Sequence, residues 1–179
     1  MALKSTVLKA TLHIADLDRH YYRDHALTMA RHPSETEERV MVRLLAFVLN
    51  AREDLIFGKG LSSEGEPALW QRDLTGAIEL WIDVGQPDER GLRKSCARAG
   101  RVMVYSYGGR PADLWWQQHQ DNLARLENLS VINLPLLATQ GLARLAQRTM
   151  QLQCTVQDGV AWLADDRETV EIAPVLVKA

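Results

Sequence analysis

Residues 78–84, with the sequence IELWIDV, are the part of this chain that most constrains its fold. Every second residue of the segment is aliphatic, whereas the residues between them are Glu79, Trp81 and Asp83. This period of two predicts a β-strand with one face towards the core. The Pro-Asp pair at 87–88 suits the first turn of a helix. A strand that leads directly into a helix is a unit from which α/β domains are built.

The remainder of the chain divides into further predicted strands and helices joined by short turns. Strands are predicted over residues 3–14, 21–30, 55–60, 68–73, 102–107, 130–134, 150–156, 160–163 and 170–175. Helices are predicted over residues 35–52, 88–99, 111–126 and 136–148, and a loop over residues 62–67. We expect the first two strands to form an N-terminal β-hairpin and the last three to be additional C-terminal strands. The predicted fold class is α/β.

The helix predicted over residues 35–52 has a recognisable start and a clear buried face. Ser34 is interpreted as its N-cap, with Glu37 completing a capping box. Apolar residues then recur at helical spacing and define the buried face: Val40, Met41, Leu44, Leu45, Val48 and Leu49. Glu38 lies on the flank of that face, so we expect its carboxylate to point inward or nearly so.

Length and composition indicate a single domain over residues 1–179. A chain of this length with 46% hydrophobic residues buries roughly 70% of the surface that it exposes when unfolded. No apolar stretch approaches the roughly 18–20 residues that cross a bilayer, and the first residues lack the pattern of a signal peptide. We therefore expect a cytoplasmic protein without membrane contact. The sequence does not indicate an oligomeric state.

The charge balance limits how the chain could contact nucleic acid. The formal net charge is −2 and the sequence pI is about 6.2, which argues against binding through long-range attraction alone. A local contact remains open, because Arg90, Lys94 and Arg98 recur at four-residue spacing on the helix predicted over residues 88–99, with Arg93 at their border. This basic stripe could follow a phosphate backbone, or it could be an ordinary solvated helix face.

Two adjacent aromatic residues also have two interpretations. Trp115 and Trp116 lie in the helix predicted over residues 111–126. One ring could stack on a nucleic-acid base. Since adjacent helix positions differ by 100°, we expect at least one of the two rings to pack in the core instead.

Three carboxylates are candidates for a metal site. Glu38 lies on the inner flank of a predicted helix, Asp73 just before a turn, and Asp83 near the end of the next strand. We expect them to gather at one end of a sheet. Mg²⁺ requires oxygen ligands and is usually held by one or two carboxylates plus water and substrate phosphate. Two aspartates on neighbouring strands would therefore suffice, with Mg²⁺ or Mn²⁺ as the ion.

Motifs distributed over most of the chain resemble the YaeQ family. They are His32-Pro33-Ser34-Glu35-Thr36, Glu38-Arg39, Leu44-Leu45-Ala46, Leu80-Trp81-Ile82-Asp83-Val84-Gly85, Pro87-Asp88-Glu89-Arg90, Trp115-Trp116-Gln117-Gln118, Arg148-Thr149-Met150 and Gln157-Asp158-Gly159-Val160. The resemblance implies a variant of the PD-(D/E)XK nuclease-like fold. Such a fold has an αβββαβ core, which would cover about residues 32–107 of this chain.

The same resemblance implies roles for individual residues. Glu38, Asp73 and Asp83 would take the acidic positions of the nuclease motif, with Asp73 and Asp83 as the metal ligands. The motif lysine should stand two residues after the acidic residue of the third core strand, where this chain has Gly85. Either the adjacent Gln86 or Lys94 on the following helix is then expected to take its place.

These observations leave three functional interpretations. The first is a metal-dependent nuclease or phosphodiesterase that acts on nucleic acid, with Glu38 assisting the metal or the attacking water, and with Gln86 or Lys94 steadying charge on the phosphate. Arg90, Arg93 and Arg98 would contact the nucleic acid. The second is an inactive nuclease-like fold that binds nucleic acid or protein as a regulatory module. The third is a protein-binding role of the C-terminal strands.

Overall fold

The fold is mixed α/β, and the computed structural model describes residues 4–59 and 65–179. Within these residues the helices are α1 (Glu37–Asn50), α2 (Glu89–Arg98), α3 (Arg110–Leu123) and α4 (Leu136–Ala143). The strands are β1 (Thr6–Asp16), β2 (Tyr21–Arg31), β3 (Leu55–Phe57), β4 (Leu69–Arg72), β5 (Ile78–Val84), β6 (Ala99–Ser106), β7 (Leu129–Asn133), β8 (Thr149–Gln157), β9 (Val160–Ala164), β10 (Thr169–Ile172) and β11 (Val175–Lys178). None of the helices in the described ranges is long and apolar enough to cross a membrane.

The strands form two mixed sheets. The first has the order β10-β9-β8-β1-β2, in which β1 pairs antiparallel with β2 and parallel with β8. The second has the order β11-β7-β6-β5-β4-β3, in which β3, β4 and β5 are antiparallel neighbours and β5, β6 and β7 are parallel. The predictions of an N-terminal hairpin and of additional C-terminal strands are confirmed.

Helix α1 lies inside the main core. Each residue from Val40 to Val48 is buried, and the core cluster that contains them also holds side chains from both sheets. A helix that is apolar on all sides requires cover on all sides, which explains its position between the two sheets. The one charged residue in this stretch, Arg43, is paired with the buried Glu35 through bonds of 2.9 and 2.7 Å.

A second core fills the other face of the β5–β7 sheet, beneath α2 and α3. Trp81, Val102 and Val104 belong to it, together with Leu92 of α2. Ile82 instead belongs to the core around α1. Because successive residues of a strand point to opposite faces, Asp83 shares the α2 side of the sheet with Trp81. Strand alternation therefore directs Asp83 towards the helix that carries the basic stripe.

Several predicted boundaries differ from the structure. Helix α1 begins two residues later than predicted, and its N-cap is Thr36, whose Oγ1 accepts from the Arg39 amide at 3.1 Å. Ser34 instead bonds to His32 at 2.6 Å, so the capping box was wrong. The strand predicted over residues 55–60 ends at 57, and the one predicted over 170–175 is two strands. Residue 3 of the first predicted strand and residues 62–64 of the predicted loop lie outside the described residues.

Candidate functional site

Asp83 is a half-buried carboxylate near the C-terminal end of β5. Its Oδ2 accepts a hydrogen bond of 3.0 Å from Trp81 Nε1. Burial raises the pKa of Asp83, while the bond from Trp81, the charge of Arg39 and the backbone amide of Ala68 oppose that shift without cancelling it. The negative charge of Asp83 is therefore under-compensated by the protein, as is often found for carboxylates with a functional role.

Asp83 and Trp81 line an open cleft of about 940 Å³, which is within the size range of small-molecule sites. One wall is formed by α2 and by the two residues that precede it, Pro87 and the N-cap Asp88. Among the described residues, the opposite rim contains Gly65 and Glu66, which lie just before β4. The N-terminal part of α2 is anchored by α3, because Trp115 Nε1 donates to the Pro87 carbonyl at 2.8 Å.

The basic stripe of α2 faces this cleft. Arg90, Lys94 and Arg98 all line it. Arg98 lies 5.1 Å from the centroid of the Trp81 ring and donates to the Gly65 carbonyl at 2.9 Å, so it bridges the two walls. Arg93 points elsewhere and pairs with Glu89 at 2.6 Å. The stripe therefore places three cations on the wall above a carboxylate, and Arg93 is not one of them.

Lys94 is the one predicted substitute for the motif lysine that lies in the cleft. Its side chain is exposed, and the described parts of the chain offer it no hydrogen-bond or ion-pair partner. Gln86 is instead held outside the cleft, because its Nε2 donates to the Tyr107 carbonyl. The Gln86 prediction is therefore not supported by the geometry.

Gly85 stands where the resemblance implies the motif lysine, and its backbone conformation favours glycine. Its φ is +94°, a conformation that residues with a Cβ rarely adopt. The Gly85 amide still bonds to the Tyr105 carbonyl at 2.8 Å, but the chain turns away from the strand at this point. A side chain at position 85 would therefore not continue the alternation that positions Asp83.

Asp73 does not join Asp83, and this expectation was wrong. Asp73 begins the turn between β4 and β5, where its Oδ1 accepts from the Thr75 hydroxyl at 2.6 Å and from the Ala77 amide at 3.0 Å. The bond from Thr75 is the main cause that lowers the pKa of Asp73. The two strands are antiparallel, so this turn and Asp83 lie at opposite ends of the hairpin, roughly 20 Å apart at ~3.3 Å per residue.

Glu38 is half-buried, as the helix pattern predicts, but it does not line the cleft with Asp83. Burial raises the pKa of Glu38. Its charge acts on Tyr107, whose pKa is raised mainly by burial and further by Glu38. Glu38 and Asp83 therefore belong to neighbouring but separate environments at this end of the sheet.

Arg39 connects the α1 core to Asp83. Its Nη1 donates to Glu35 Oε2, and Glu35 is held in turn by the fully buried Arg43. Arg31 Nε donates to the Glu35 carbonyl at 2.9 Å, which fixes the loop before α1. This network holds Arg39 close enough to Asp83 to favour the ionised carboxylate.

Glu66 is the acidic residue that the sequence reasoning missed. Its Oε2 accepts from the Lys59 amide at 3.0 Å, and the residue lines the same cleft as Asp83. Leu69 pairs with Ile82, so the residues that precede β4 lie beside the end of β5. The predicted turn around Thr75 could have revealed that Glu66 lies near Asp83, because an antiparallel hairpin brings the start of one strand to the end of the other.

The donors in the cleft suit a divalent cation that keeps other oxygen ligands. Asp83 and Glu66 supply carboxylate oxygens. Asp88 Oδ1 instead accepts a hydrogen bond from the Gly91 amide and so caps α2. Within residues 4–59 and 65–179, no three His, Cys, Asp or Glu residues come together as a metal-binding group. One or two carboxylates completed by water and phosphate oxygens are the usual ligands of Mg²⁺, so these donors fit such an ion.

The tryptophan pair of α3 behaves as the core interpretation predicts. Trp115 is buried and Trp116 is half-buried against the same core. Trp115 also bonds to the Pro87 carbonyl, so its role in this part of the molecule is to hold α3 against the start of α2. These rings are not available as a pair for base stacking.

Comparison with known proteins shows similarity over almost the whole chain. The sequence model of the family described as "YaeQ protein" matches residues 1–174. A Salmonella typhi protein named "uncharacterized protein YaeQ" is 51% identical over 172 residues, 96% of this chain and 95% of that protein. The protein of the same name from Escherichia coli (strain K12) is 48% identical over 172 residues, with the same coverage of both chains.

Crystal structures give the same result. The YaeQ protein from Xanthomonas axonopodis pv. citri superposes with a TM-score of 0.95 at 48% identity, covering 98% of this chain and 99% of that one. The YaeQ protein from Pseudomonas syringae superposes with a TM-score of 0.93 at 35% identity, covering 98% of this chain and 97% of that one. The two-sheet fold described above is therefore similar to experimentally determined folds.

Proposed function

The chain belongs to the YaeQ family, and from this premise we propose that it is a metal-dependent phosphodiesterase that acts on nucleic acid. The αβββαβ core of the PD-(D/E)XK nucleases would correspond to α1, β3, β4, β5, α2 and β6, which follow one another in this order. Asp83 and Glu66 would be the metal ligands, and Lys94 would take the role of the motif lysine. Asp73, Gln86 and Arg93 have no part in this version of the site.

One observation carries the proposal: an under-compensated, half-buried carboxylate and three cations face the same open cleft. Asp83 lies on β5, and Arg90, Lys94 and Arg98 line the α2 wall. A phosphodiester needs cationic groups around its oxygens and an oxygen ligand or base beside them. The cleft supplies both kinds of group within one cavity.

Each residue has a chemical task in this proposal. Asp83 and Glu66 would hold Mg²⁺ or Mn²⁺, which when bound would polarise the phosphate and lower the pKa of a bound water. The Lys94 ammonium would neutralise charge that develops on the phosphate, which is a large contribution in phosphoryl transfer. Arg90 and Arg98 would hold the backbone phosphates on either side of the reacting group.

The test is cleavage of labelled DNA and RNA by the purified chain in Mg²⁺ or Mn²⁺. We expect Asp83→Ala to lower the cleavage rate by about 100-fold or more, which is typical when one essential catalytic group is removed. We expect Lys94→Ala to lower it by roughly the same order. EDTA should abolish cleavage by the parent chain.

The structure offers a matched control for each variant. Asp73→Ala removes an aspartate from the other end of the same hairpin, and Arg93→Ala removes a cation from the same helix but outside the cleft. Both should cleave at about the parent rate. The proposal fails if the folded parent cleaves neither nucleic acid with either ion, or if Asp83→Ala is as active as the parent.

A specific observation favours a second function, an inactive nuclease-like fold that binds nucleic acid. The described residues contain no group of three metal-ligating side chains, and Gly85 replaces the motif lysine. Titration with Mn²⁺ separates the two functions. The enzyme should take up Mn²⁺ in a manner that depends on Asp83 but not on Asp73, whereas the binding module should bind nucleic acid without taking up Mn²⁺ at Asp83 and without cleaving the nucleic acid.

A further inference from the structure

We infer that the sheet face beside the cleft is a base-stacking site for single-stranded nucleic acid, centred on Trp70. This inference deepens the proposed function and rests on it for the class of ligand, because it names the form of nucleic acid that the cleft receives. The observations that carry it are two arginine–tryptophan contacts with the tryptophans on adjacent strands, the exposure of the Trp70 end, and the continuity of these contacts with the cleft.

The two contacts form one row across β4 and β5. The Arg72 guanidinium lies 4.0 Å from the centroid of the Trp70 ring. The Trp70 and Trp81 rings meet edge to face, with centroids 6.0 Å apart at 87°. The Arg98 guanidinium lies 5.1 Å from the Trp81 ring on the far side of the row. The row therefore runs Arg72, Trp70, Trp81, Arg98, with two aromatic rings between two cations, from β4 to the wall of the cleft.

The Trp70 end of this row is open to solvent. Trp70 is partly buried and Arg72 is exposed. Ile56 on the edge strand β3 stands directly opposite Trp70, and 54% of its surface is exposed. Directly paired residues of neighbouring strands lie on the same face, so solvent reaches this face of the sheet around the Trp70 ring.

The row is continuous with the proposed catalytic cleft. Trp81 belongs to the row and also lines the cleft, where its Nε1 bonds to Asp83. Arg98 lines the cleft as well. A strand whose phosphate lies against α2 would thus have the Trp70 ring beside its next nucleotides.

The aromatic rings and cations of the row favour a single-stranded nucleic acid as the ligand. A planar guanidinium at 4.0 Å from an indole occupies the position that a planar base would take, and Arg72 can shift to contact a phosphate while a base stacks on Trp70. Only an unpaired base can present its face in this way, which is why aromatic platforms bind single strands. The positive charge of Arg72 and Arg98 complements the phosphate backbone.

The experiment measures binding in EDTA by fluorescence anisotropy, so cleavage does not contribute. The probes are a labelled single strand of about 12 thymidines, an abasic strand of the same length and a duplex of the same length. We expect the full chain to bind the thymidine strand more tightly than the other two. Trp70→Ala should weaken binding of the thymidine strand by roughly 5- to 100-fold and leave the abasic strand unchanged, because stacking contributes about that much per base.

Three further variants separate stacking from other effects. Trp162→Ala is the matched control, because Trp162 is also half-buried but lies on β9 of the other sheet, and it should bind like the parent. Trp70→Phe keeps an aromatic face and should retain most of the affinity. Arg72→Ala leaves Trp70 in place and should weaken binding of the thymidine and abasic strands alike, with a smaller dependence on salt. It tests the site even if Trp70→Ala fails to fold.

The inference is overturned if the parent binds the abasic strand as tightly as the thymidine strand, or if folded Trp70→Ala or Arg72→Ala binds like Trp162→Ala. These outcomes are independent of catalysis. Metal-dependent cleavage by a chain whose binding of the thymidine strand does not depend on Trp70 would overturn the stacking site and leave the phosphodiesterase proposal intact. Binding that depends on Trp70, without any metal-dependent cleavage, would do the reverse.

Discussion

At the scale of single residues, Asp73 and Asp83 show how surroundings decide what a carboxylate can do. Asp73 accepts bonds from the Thr75 hydroxyl and two backbone amides, which lower its pKa. The pKa of Asp83 is raised, because the effect of burial outweighs the hydrogen bond from Trp81 and the charge of Arg39. Asp73 is stabilised as an ion by the turn, whereas burial disfavours the ionised form of Asp83.

The pKa shift of Asp83 predicts that Asp83→Asn is more stable than the parent at neutral pH. A raised pKa means that the folded chain holds the proton more tightly, so the stabilising effect of the protonated group is complete below the unfolded pKa and is lost as the pH rises through the folded pKa. The asparagine of the variant cannot ionise and avoids this loss. We expect a gain in the free energy of unfolding by urea at pH 7 that vanishes at acidic pH.

Asp73→Asn is the matched control, with the opposite sign. Because hydrogen bonds lower the pKa of Asp73, its stabilising effect is present above the unfolded pKa and is lost as the pH falls through the folded pKa. The variant should therefore be less stable than the parent at pH 7. If Asp83→Asn instead destabilises the chain at pH 7 as Asp73→Asn does, burial is not the dominant influence on Asp83.

Gly85 leads to a second prediction at this scale. Gly85→Lys puts a lysine where the proposed nuclease motif would have one, but it places a side chain at φ +94°, which we expect to cost roughly 1–2 kcal/mol of unfolding free energy. A Cβ added at this position would have Tyr107 Cε1 as its nearest neighbour, at 4.0 Å, so the cost is backbone strain and not a clash. Gly85→Ala should cost about the same, and neither should raise cleavage. A lysine variant that is as stable as the parent and more active would contradict this explanation.

At the scale of elements, the α1 helix is positioned by its first turn. Thr36 caps the helix, and Glu35 just before it holds both Arg39 and Arg43. A displaced start of α1 would move Arg39 relative to Asp83. The position of the cap is therefore linked to the electrostatics of the cleft.

The observed cap predicts different effects of two nearby hydroxyls. Thr36→Ala should lower the free energy of unfolding by about 1 kcal/mol, within the roughly 0.5–2 kcal/mol known for caps, because the Arg39 amide loses its acceptor. Ser34→Ala removes only a bond to His32 at the surface and should change stability by less than about 0.5 kcal/mol. Urea unfolding of both variants measures the difference. A larger loss of stability for Ser34→Ala than for Thr36→Ala would show that Ser34 is the N-cap.

At the scale of the whole molecule, strands from the N-terminal and C-terminal parts of the sequence pair in one sheet, whereas β11 lies in the other. Residues Lys9–Asp16 of β1 pair in parallel with Thr149–Val156 of β8, and β8 lies in the middle of that sheet. Strands β8, β9 and β10 thus cover the core around α1. They are part of the structural framework, which limits how a protein-binding role of these strands can be tested by truncation.

This arrangement predicts that removal of residues 149–179 prevents folding. The shortened chain would leave β1 unpaired on one side and would expose the core that Leu152 and Leu163 cover. We expect it to show no cooperative thermal transition in circular dichroism. Removal of residues 175–179 deletes only the edge strand β11 and should leave a cooperative transition. A cooperative transition in the chain that lacks residues 149–179 would show that the N-terminal part folds alone.

Much of the local structure was predictable from the sequence. The strand Ile78–Val84 has the predicted bounds, and the stripe of Arg90, Lys94 and Arg98 lies on one helix face as its spacing requires. Both rest on periodicity, which depends only on the geometry of one element. The start of α1 was predicted two residues early, because Ser34 and Thr36 are both good caps and the choice depends on contacts with the preceding loop.

The sequence by itself determined that Asp83 lies near the end of a half-buried strand and that a basic helix follows that strand. Only the tertiary structure decided which groups share its cleft. The antiparallel pairing of β4 and β5 places Asp73 at the far end of the hairpin from Asp83, and it places Glu66 in the same cleft as Asp83. The same pairing places Trp70 beside Trp81. The physical reason is that periodicity is a local property of the backbone, whereas contacts between elements depend on the direction and register of pairing.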